Sequence, residues 1–139
     1  MIEDDEATIV GSGDRETLPD SLWWSRLFSA IDSADAQGFV EFLSPDARFR
    51  FGNAAEVVGS AAITTAVTGF FAAIRSSKHL LLTRWGANAT AGCEGEVTYT
   101  RHDGSVVTFP FANVFRLRAE KISSYHIYID ISTLFSPAV

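Results

Sequence analysis

Several features that point to common classes of protein are scarce or missing in this sequence. Cysteine occurs once, at Cys93, so no internal disulfide can form, which is typical of a reducing compartment. The only histidines, His79, His102 and His126, are too widely spaced to predict a metal site. No run approaches the roughly 20 apolar residues of a membrane span, and the start lacks the basic and apolar regions of a secretory signal. We therefore predict a cytoplasmic protein with no metal, no cofactor and no membrane contact.

An excess of positive charge is also missing. The net charge is −6, and residues 1–20 account for all of it, with seven acidic residues and one arginine. The remaining residues carry ten acids and ten bases, so no basic face is available to bind a nucleic acid. The acidic start also contains Gly11-Ser12-Gly13, a composition typical of disorder. We predict a disordered tail over residues 1–18 and one folded domain over residues 19–139.

Apolar and aromatic residues are plentiful in that domain. Eleven Phe, three Trp and three Tyr, within 47% hydrophobic content, can bury a sizeable core in a chain of 139 residues. Apolar residues at helical spacing predict a helix that begins near Asp20, a second capped by Asp35 and ended by Ser44-Pro45, and a third capped by Ser60.

Alternating apolar and polar residues predict strands. One strand covers residues 46–51, and four more cover about residues 79–85, 94–101, 105–116 and 122–131. Asp103-Gly104 predicts a hairpin between two of them. Helices first and a long antiparallel run afterwards indicate an α+β fold with the helices on one face of the sheet.

Short motifs over about residues 20–135 then resemble one superfamily. They are Asp32-x-x-Asp35-x-x-Gly38-Phe39, Leu43-Ser-Pro-Asp46-Ala-Arg-Phe49, Val58-Gly59, Gly95-Glu96-Val97-Thr98-Tyr99, Pro110-Phe111-Ala112-x-Val114-Phe115, Lys121-Ile122 and Tyr128-Ile129-Asp130-Ile131. Together they resemble the nuclear-transport-factor-2-like superfamily, and its SnoaL-like branch in particular. This resemblance implies a cystatin-like roll, in which about three helices pack on the concave face of a cone-shaped antiparallel sheet. The superfamily includes isomerases, polyketide cyclases, epoxide hydrolases, dehydratases and non-enzymatic carriers, so activity is left open.

Only some of the catalytic residues of the resembled enzymes have a counterpart in this sequence. Phe51-Gly52-Asn53 is similar to the Tyr-x-Asn of limonene-epoxide-hydrolase-like members, with Phe in place of Tyr, and Asp130 matches their catalytic aspartate. Their Arg-x-Asp pair is missing, because the matching strand reads Glu96-Val97-Thr98. The carboxylate base of ketosteroid-isomerase-like members is also missing after the first strand.

The last strand alternates between Ile127 and Ile129 on one face and His126, Tyr128 and Asp130 on the other. The pattern by itself favours polar residues facing solvent. The resemblance implies the reverse, with Asp130 in the cavity. A carboxyl in an apolar pocket has a raised pKa, so we predict Asp130 as general acid or base, with Tyr128 donating a hydrogen bond to the substrate.

Glu96 is the third catalytic candidate, and its orientation depends on the hairpin. A turn with Gly104 left-handed sets Glu96 opposite Pro110, and the resemblance counts Pro110, Ala112 and Val114 as pocket positions. Glu96 then faces inward, whereas a two-residue turn directs it outward.

The remaining predicted residues would line the pocket. His79 stands where SnoaL-like members often carry histidine, although a histidine hydrogen-bonded near a helix end fits the same position. The predicted ligand-binding residues are Asn53, Phe51, His79, Trp85, Thr98, Ala112, Val114 and His126.

The sequence thus leads to two hypotheses of function. The first is an isomerase, cyclase or hydrolase that acts through Asp130 on a small, largely apolar molecule bearing an oxygen. The second is a non-catalytic ligand-binding or dimeric interaction module. In either case a homodimer is predicted, because an outward sheet face with Phe111, Phe115, Ile127 and Ile129 would otherwise be exposed.

Overall fold

The computed structural model describes residues 19–135, so the tail predicted over residues 1–18 lies outside the described residues. Within this range the chain forms three helices and six strands. They are α1 Ser21–Asp32, α2 Ala36–Val40, β1 Leu43–Phe51, β2 Val57–Val58, α3 Ser60–Ala73, β3 Ser76–Ala87, β4 Thr90–Thr100, β5 Val106–Arg118 and β6 Lys121–Tyr128. No helix among residues 19–135 is long and apolar enough to cross a membrane.

The helix starts follow the sequence closely. The Asp20 side chain accepts a hydrogen bond from the Trp23 backbone N–H at 2.9 Å, which caps α1. Asp35 caps α2 in the same way through the Gly38 N–H. The predicted cap of α3 is wrong by one residue, because Gly59 occupies the N-cap position with φ +94° and Ser60 is the first helical residue.

The strands form one curved sheet in the order β2-β1-β6-β5-β4-β3. Four of the five strand pairings are antiparallel, as predicted, but β1 and β6 run parallel because α3 and the rest of the sheet separate them along the chain. The α+β fold with three helices against a curved sheet is confirmed, and the sheet is mixed.

The close approach of β3 and β4 depends on Gly95. The pairing shifts by a bulge between Leu81 and Thr83, which increases local curvature. A β-carbon added at Gly95 would overlap the backbone carbonyl oxygen of Leu80. Glycine is therefore required where the two strands bend together.

The core lies between the helices and the concave face of the sheet. Trp24, Leu27 and Phe28 of α1 and Ile63 and Val67 of α3 cover that face. The buried strand residues alternate along each strand, and they include Ala47, Phe49, Val97, Tyr99, Phe109, Phe111, Asn113, Phe115 and Tyr125.

This alternation corrects the orientation predicted for the sheet. Phe111 and Phe115 are buried in the core, and Ile127 and Ile129 pack against it, so these four residues do not form an outward apolar face. The apolar set must be buried against the helices, and every intervening residue is then directed to the convex face.

Candidate functional site

A cavity of about 240 Å³ lies between the helices and the concave face of the sheet. Its walls are mostly aromatic and aliphatic, with Phe51, Phe70 and Phe111 among them. At about 30 Å³ per water molecule, its volume equals that of roughly eight waters. Five of its lining residues carry polar side-chain atoms, namely Ser77, His79, Tyr99, Asn113 and Tyr125.

A histidine at the cavity wall, His79, is paired with a carboxylate behind it. Asp32 ends α1 and His79 is on β3, and their Oδ1 and Nδ1 atoms are 2.6 Å apart. Asp32 also accepts hydrogen bonds from the backbone N–H of His79 at 2.9 Å and from the Ser77 hydroxyl at 3.1 Å. Three hydrogen bonds therefore hold this carboxylate in one orientation toward the imidazole.

The imidazole itself is held by aromatic rings. The side chain of His79 is 11% exposed, and its ring contacts those of Phe28 and Phe111 at centroid distances of 5.0 and 5.2 Å. Because a carboxylate can only accept, the Nδ1 atom that faces it carries a proton, and in the neutral imidazole the lone pair is then on Nε2. No residue among 19–135 hydrogen-bonds that Nε2 atom.

Two tyrosines add neutral hydroxyl groups to the wall. Burial, and then the charge of Asp32, raises the pKa of Tyr99 above its usual range. Burial also raises the pKa of Tyr125 well above its usual range. Both phenols therefore stay protonated and can donate a hydrogen bond to an oxygen in the cavity.

The buried amide of Asn113 also lines the cavity, and it is 2% exposed. Its Nδ2 donates to the Tyr125 hydroxyl oxygen at 3.3 Å. Its Oδ1 is buried and accepts no hydrogen bond from any of residues 19–135.

The orientation predicted for Asp130 is wrong. Asp130 is exposed and does not line the cavity, and its Oδ1 accepts a hydrogen bond from the Ser132 N–H at 2.9 Å. The hydrogen bonds from Ser132 lower the pKa of Asp130, whereas a catalytic acid in an apolar pocket needs a raised one. Ile127 and Ile129 line the cavity, and strand alternation directs the Asp130 side chain to the opposite face of the sheet.

The same correction applies to every predicted site residue on the convex face. Glu96 does pair with Pro110, and Gly104 is left-handed with φ +90°, so the predicted hairpin register is confirmed. That face is nevertheless the outer one, because the odd-numbered residues of β4 and β5 are buried. The residues outside the cavity on this face are Tyr128, Glu96, Thr98, Ala112, Val114 and His126.

Four further predictions concern single residues at the ends of strands. Phe51 and His79 do line the cavity. Asn53 is exposed in the turn after β1 and lies outside it. Trp85 is 46% exposed, and its ring covers Gly92 on the convex face.

Sequence reasoning missed Asp32, Tyr99, Asn113 and Tyr125. Asp32 was recognised only as part of a family motif, because nothing local links it to a histidine 47 residues away. The other three, Tyr99, Asn113 and Tyr125, lie on the same face of the sheet as buried Val97 and Phe111. The alternation of apolar and polar residues, taken without the family resemblance, would have placed them in the core.

Neither a metal site nor a reactive thiol is built into the described part of the chain. Among residues 19–135 no group of three or more His, Cys, Asp or Glu side chains could hold a metal ion. Cys93 is buried, and burial raises the pKa of its thiol to about 12, so it packs as a small apolar residue.

Comparison with known proteins is consistent with this architecture. The family model described as a SnoaL-like domain matches residues 24–125. No curated protein sequence matches the chain.

Solved structures share the fold at low sequence identity. A candidate SnoaL-like polyketide cyclase from Jannaschia sp. CCS1 is 15% identical with a TM-score of 0.73, covering 96% of this chain and 99% of its own. A ketosteroid-isomerase-like protein from Catenulispora acidiphila, in complex with trimethylamine, is 16% identical with a TM-score of 0.74, covering 81% and 88%. TerC, co-crystallised with polyporic acid, is 14% identical with a TM-score of 0.70, covering 80% and 91%.

Proposed function

Because the chain belongs to the family of SnoaL-like domains, we propose that its cavity binds a small, largely apolar, oxygen-bearing molecule and that His79 moves a proton on it. The observation that carries this proposal is the 2.6 Å pair between His79 and Asp32 at the wall of an apolar cavity. A histidine held by a carboxylate at the wall of an apolar cavity is an arrangement that proton-transfer enzymes use.

The chemistry begins at Nε2 of His79. Its lone pair removes a proton from a carbon next to a carbonyl group, and the electrons of the broken C–H bond form an enolate. The imidazolium that results is stabilised by the Asp32 carboxylate on Nδ1. The proton can then return to another carbon of the same molecule, which completes an isomerisation.

A phenol on the same wall can stabilise the enolate oxygen. Tyr99 lines the cavity, and its raised pKa keeps it protonated beside Asp32. A neutral donor in an apolar site is suited to a developing oxyanion, because water does not compete for the hydrogen bond. The enolate can alternatively attack a second carbonyl, which closes a ring, or expel a leaving group. Isomerisation, cyclisation and elimination therefore share one first step.

The first test measures that shared step without knowledge of the natural substrate. β-Tetralone, an apolar bicyclic ketone, is incubated with the protein in heavy water, and NMR follows the exchange of its α-protons for deuterium. We expect the protein to accelerate exchange and the His79→Gln variant to lose about 10²–10⁴-fold of that acceleration.

The matched control for this test is His102→Gln, which removes a histidine from an exposed turn outside the cavity. It should exchange β-tetralone as the unmodified protein does. An equal loss of the acceleration of exchange in both variants would refute the proposal. Binding of β-tetralone, seen as shifts of its NMR signals, without any acceleration would support the second candidate, a non-catalytic binding protein. The dominance of apolar residues in the cavity wall favours that candidate.

A homodimer remains our proposal, now through different residues. The convex face carries apolar side chains on three strands, namely Leu80 and Trp85 on β3, Pro110, Ala112 and Val114 on β5, and Tyr128 on β6, while Glu94 and Glu96 lie between them on β4. Leu80 and Tyr128 are 57% and 52% exposed. Exposed apolar side chains of this kind are typical of an interface between two copies of a chain.

Light scattering tests the dimer at micromolar protein concentration. The chain has a mass of 15.1 kDa, so we expect a species of twice that mass. Leu80→Glu should shift it to the monomer, because each dimer would bury two unpaired charges. Leu22→Glu, at a similarly exposed leucine on α1, is the control and should remain dimeric. A monomer for the unmodified protein contradicts the proposal.

A further inference from the structure

The geometry points to Asn113 as the residue that selects the ligand: its Oδ1 accepts a hydrogen bond from a hydroxyl group on a ring-bearing molecule in the cavity. This inference rests on the proposed function only in placing a ligand in the cavity. It narrows the proposed ligand to one chemical class, hydroxylated compounds of about two fused rings. It does not depend on proton transfer at His79.

The amide of Asn113 is unusual for its burial. Only 2% of the residue is exposed, and Nδ2 is committed to the Tyr125 hydroxyl. Oδ1 has no donor among residues 19–135. A buried carbonyl oxygen without a partner is costly to folding, and such groups are rare in native proteins. We therefore infer that the Asn113 side chain serves to bind a ligand and not to stabilise the core.

Apart from the Tyr125 hydroxyl, no polar side chain adjoins Asn113 on its own or its paired strands. On the same face of β5, Phe111 and Phe115 flank it, and both are buried aromatic residues. On the paired strands, Cys93 and Ile127 lie opposite. The bond to Tyr125 uses Nδ2 alone, so the unpartnered Oδ1 marks a point of recognition.

The position of Asn113 separates recognition from catalysis. His79 pairs with Val97, which pairs with Phe109, so Asn113 lies two strands and four residues from His79. On a flat sheet, steps of about 4.8 Å across and 3.3 Å along would put their α-carbons roughly 16 Å apart. Both residues line the same cavity, so a single ligand can contact the two of them. The hydroxyl bound by Asn113 is therefore distinct from the carbon on which His79 acts.

The rest of the cavity wall determines the rest of the ligand. Its apolar lining includes aromatic rings, among them Phe51, Phe70 and Phe111. Such rings pack best against another flat ring system, edge to face or offset. The volume of about 240 Å³ suits a small ring compound. A hydroxyl donor at one end and a flat apolar body describe a phenol or an enol.

The experiment compares three probes by isothermal titration calorimetry. β-Naphthol offers a hydroxyl donor, β-methoxynaphthalene an ether oxygen that only accepts, and β-fluoronaphthalene neither donor nor strong acceptor at similar size. We expect β-naphthol to bind roughly 5- to 100-fold more tightly than the other two, the range that follows from leaving a buried acceptor unpaired. Equal or tighter binding of β-methoxynaphthalene, or no binding by any probe, overturns the inference.

Two variants assign the preference to one residue. Asn113→Leu, of similar volume, should bind all three probes equally, and its affinity for β-fluoronaphthalene should match that of the unmodified protein or exceed it. His79→Gln should keep the full preference for β-naphthol. A preference lost in His79→Gln and kept in Asn113→Leu would place the hydroxyl at the imidazole and refute the inference. The comparison of probes on the unmodified protein stands even if Asn113→Leu does not fold.

The two proposals fail separately. No acceleration of β-tetralone exchange, together with an intact preference for β-naphthol, would refute proton transfer by His79 and leave Asn113 as the selecting residue. Accelerated exchange with no preference among the probes would refute the role of Asn113 alone.

Discussion

Asp32→Asn is expected to slow the exchange of β-tetralone by about 10²–10⁴-fold, as much as removal of the imidazole does. Asn keeps the size of Asp32, and its amide oxygen can still accept the hydrogen bond from the His79 N–H. Its NH₂ group, however, must then face Nδ1 of the imidazole, where a carboxylate oxygen now lies at 2.6 Å.

The consequence is a change of tautomer. Nδ1 has to accept from the amide, so the ring proton moves to Nε2, and the lone pair that should remove the substrate proton is lost. The imidazolium formed during the reaction also loses its counter-charge. Asp32 therefore acts as a positioning residue, through His79.

The measurement separates this role from a purely structural one. The exchange rate of Asp32→Asn is compared with its melting temperature and with its affinity for β-fluoronaphthalene, and we expect only the rate to change strongly. Asp20→Asn, at the other end of α1, is the matched control, because Asn also caps helices well. Exchange within about threefold of the unmodified protein would refute the dyad, since general base catalysis is typically worth far more.

Gly95→Ala is expected to have the largest effect on stability. A β-carbon there would overlap the Leu80 carbonyl oxygen, which belongs to the backbone of β3 and cannot rotate away as a side chain can. The two strands would have to separate at the bulge, with loss of ladder hydrogen bonds. We expect a loss of about 3 kcal/mol or more in the free energy of unfolding, at the upper end of overpacking effects.

Thermal and urea unfolding followed by circular dichroism measure this loss, which corresponds to a fall in melting temperature of roughly 10 °C for a domain of this size. Gly69→Ala is the matched control, because a β-carbon at Gly69 meets no atom within 4 Å. Since Gly69 lies inside α3, its replacement should stabilise the protein by up to about 1 kcal/mol. A Gly95→Ala variant within 1 kcal/mol of the unmodified protein would contradict the close approach of the strands.

The orientation of the sheet shows how far alternation alone could be trusted. Tyr125 and Ile127 of β6 and Ile129 just after it face the helices, as an amphipathic strand requires, and Asp130 faces outward. The family resemblance suggested the reverse and misplaced every site residue that depended on it. The hairpin register was right, because Gly104 and the turn determine it locally. The register of two strands and the choice of which face is buried are thus determined separately, and the burial of apolar side chains determines the buried face.

The sequence by itself determined the α+β class, the helix caps at Asp20 and Asp35, the hairpin at Gly104 and the alternation of each strand. These are local properties, decided by neighbours a few residues apart. Only the tertiary structure decided which face became the cavity wall and which distant residues met there. Asp32 and His79, 47 residues apart, come together because α1 packs across β3, and Asn113 meets the same cavity from β5. Such contacts depend on how helices and sheet pack together, and no local pattern encodes that packing.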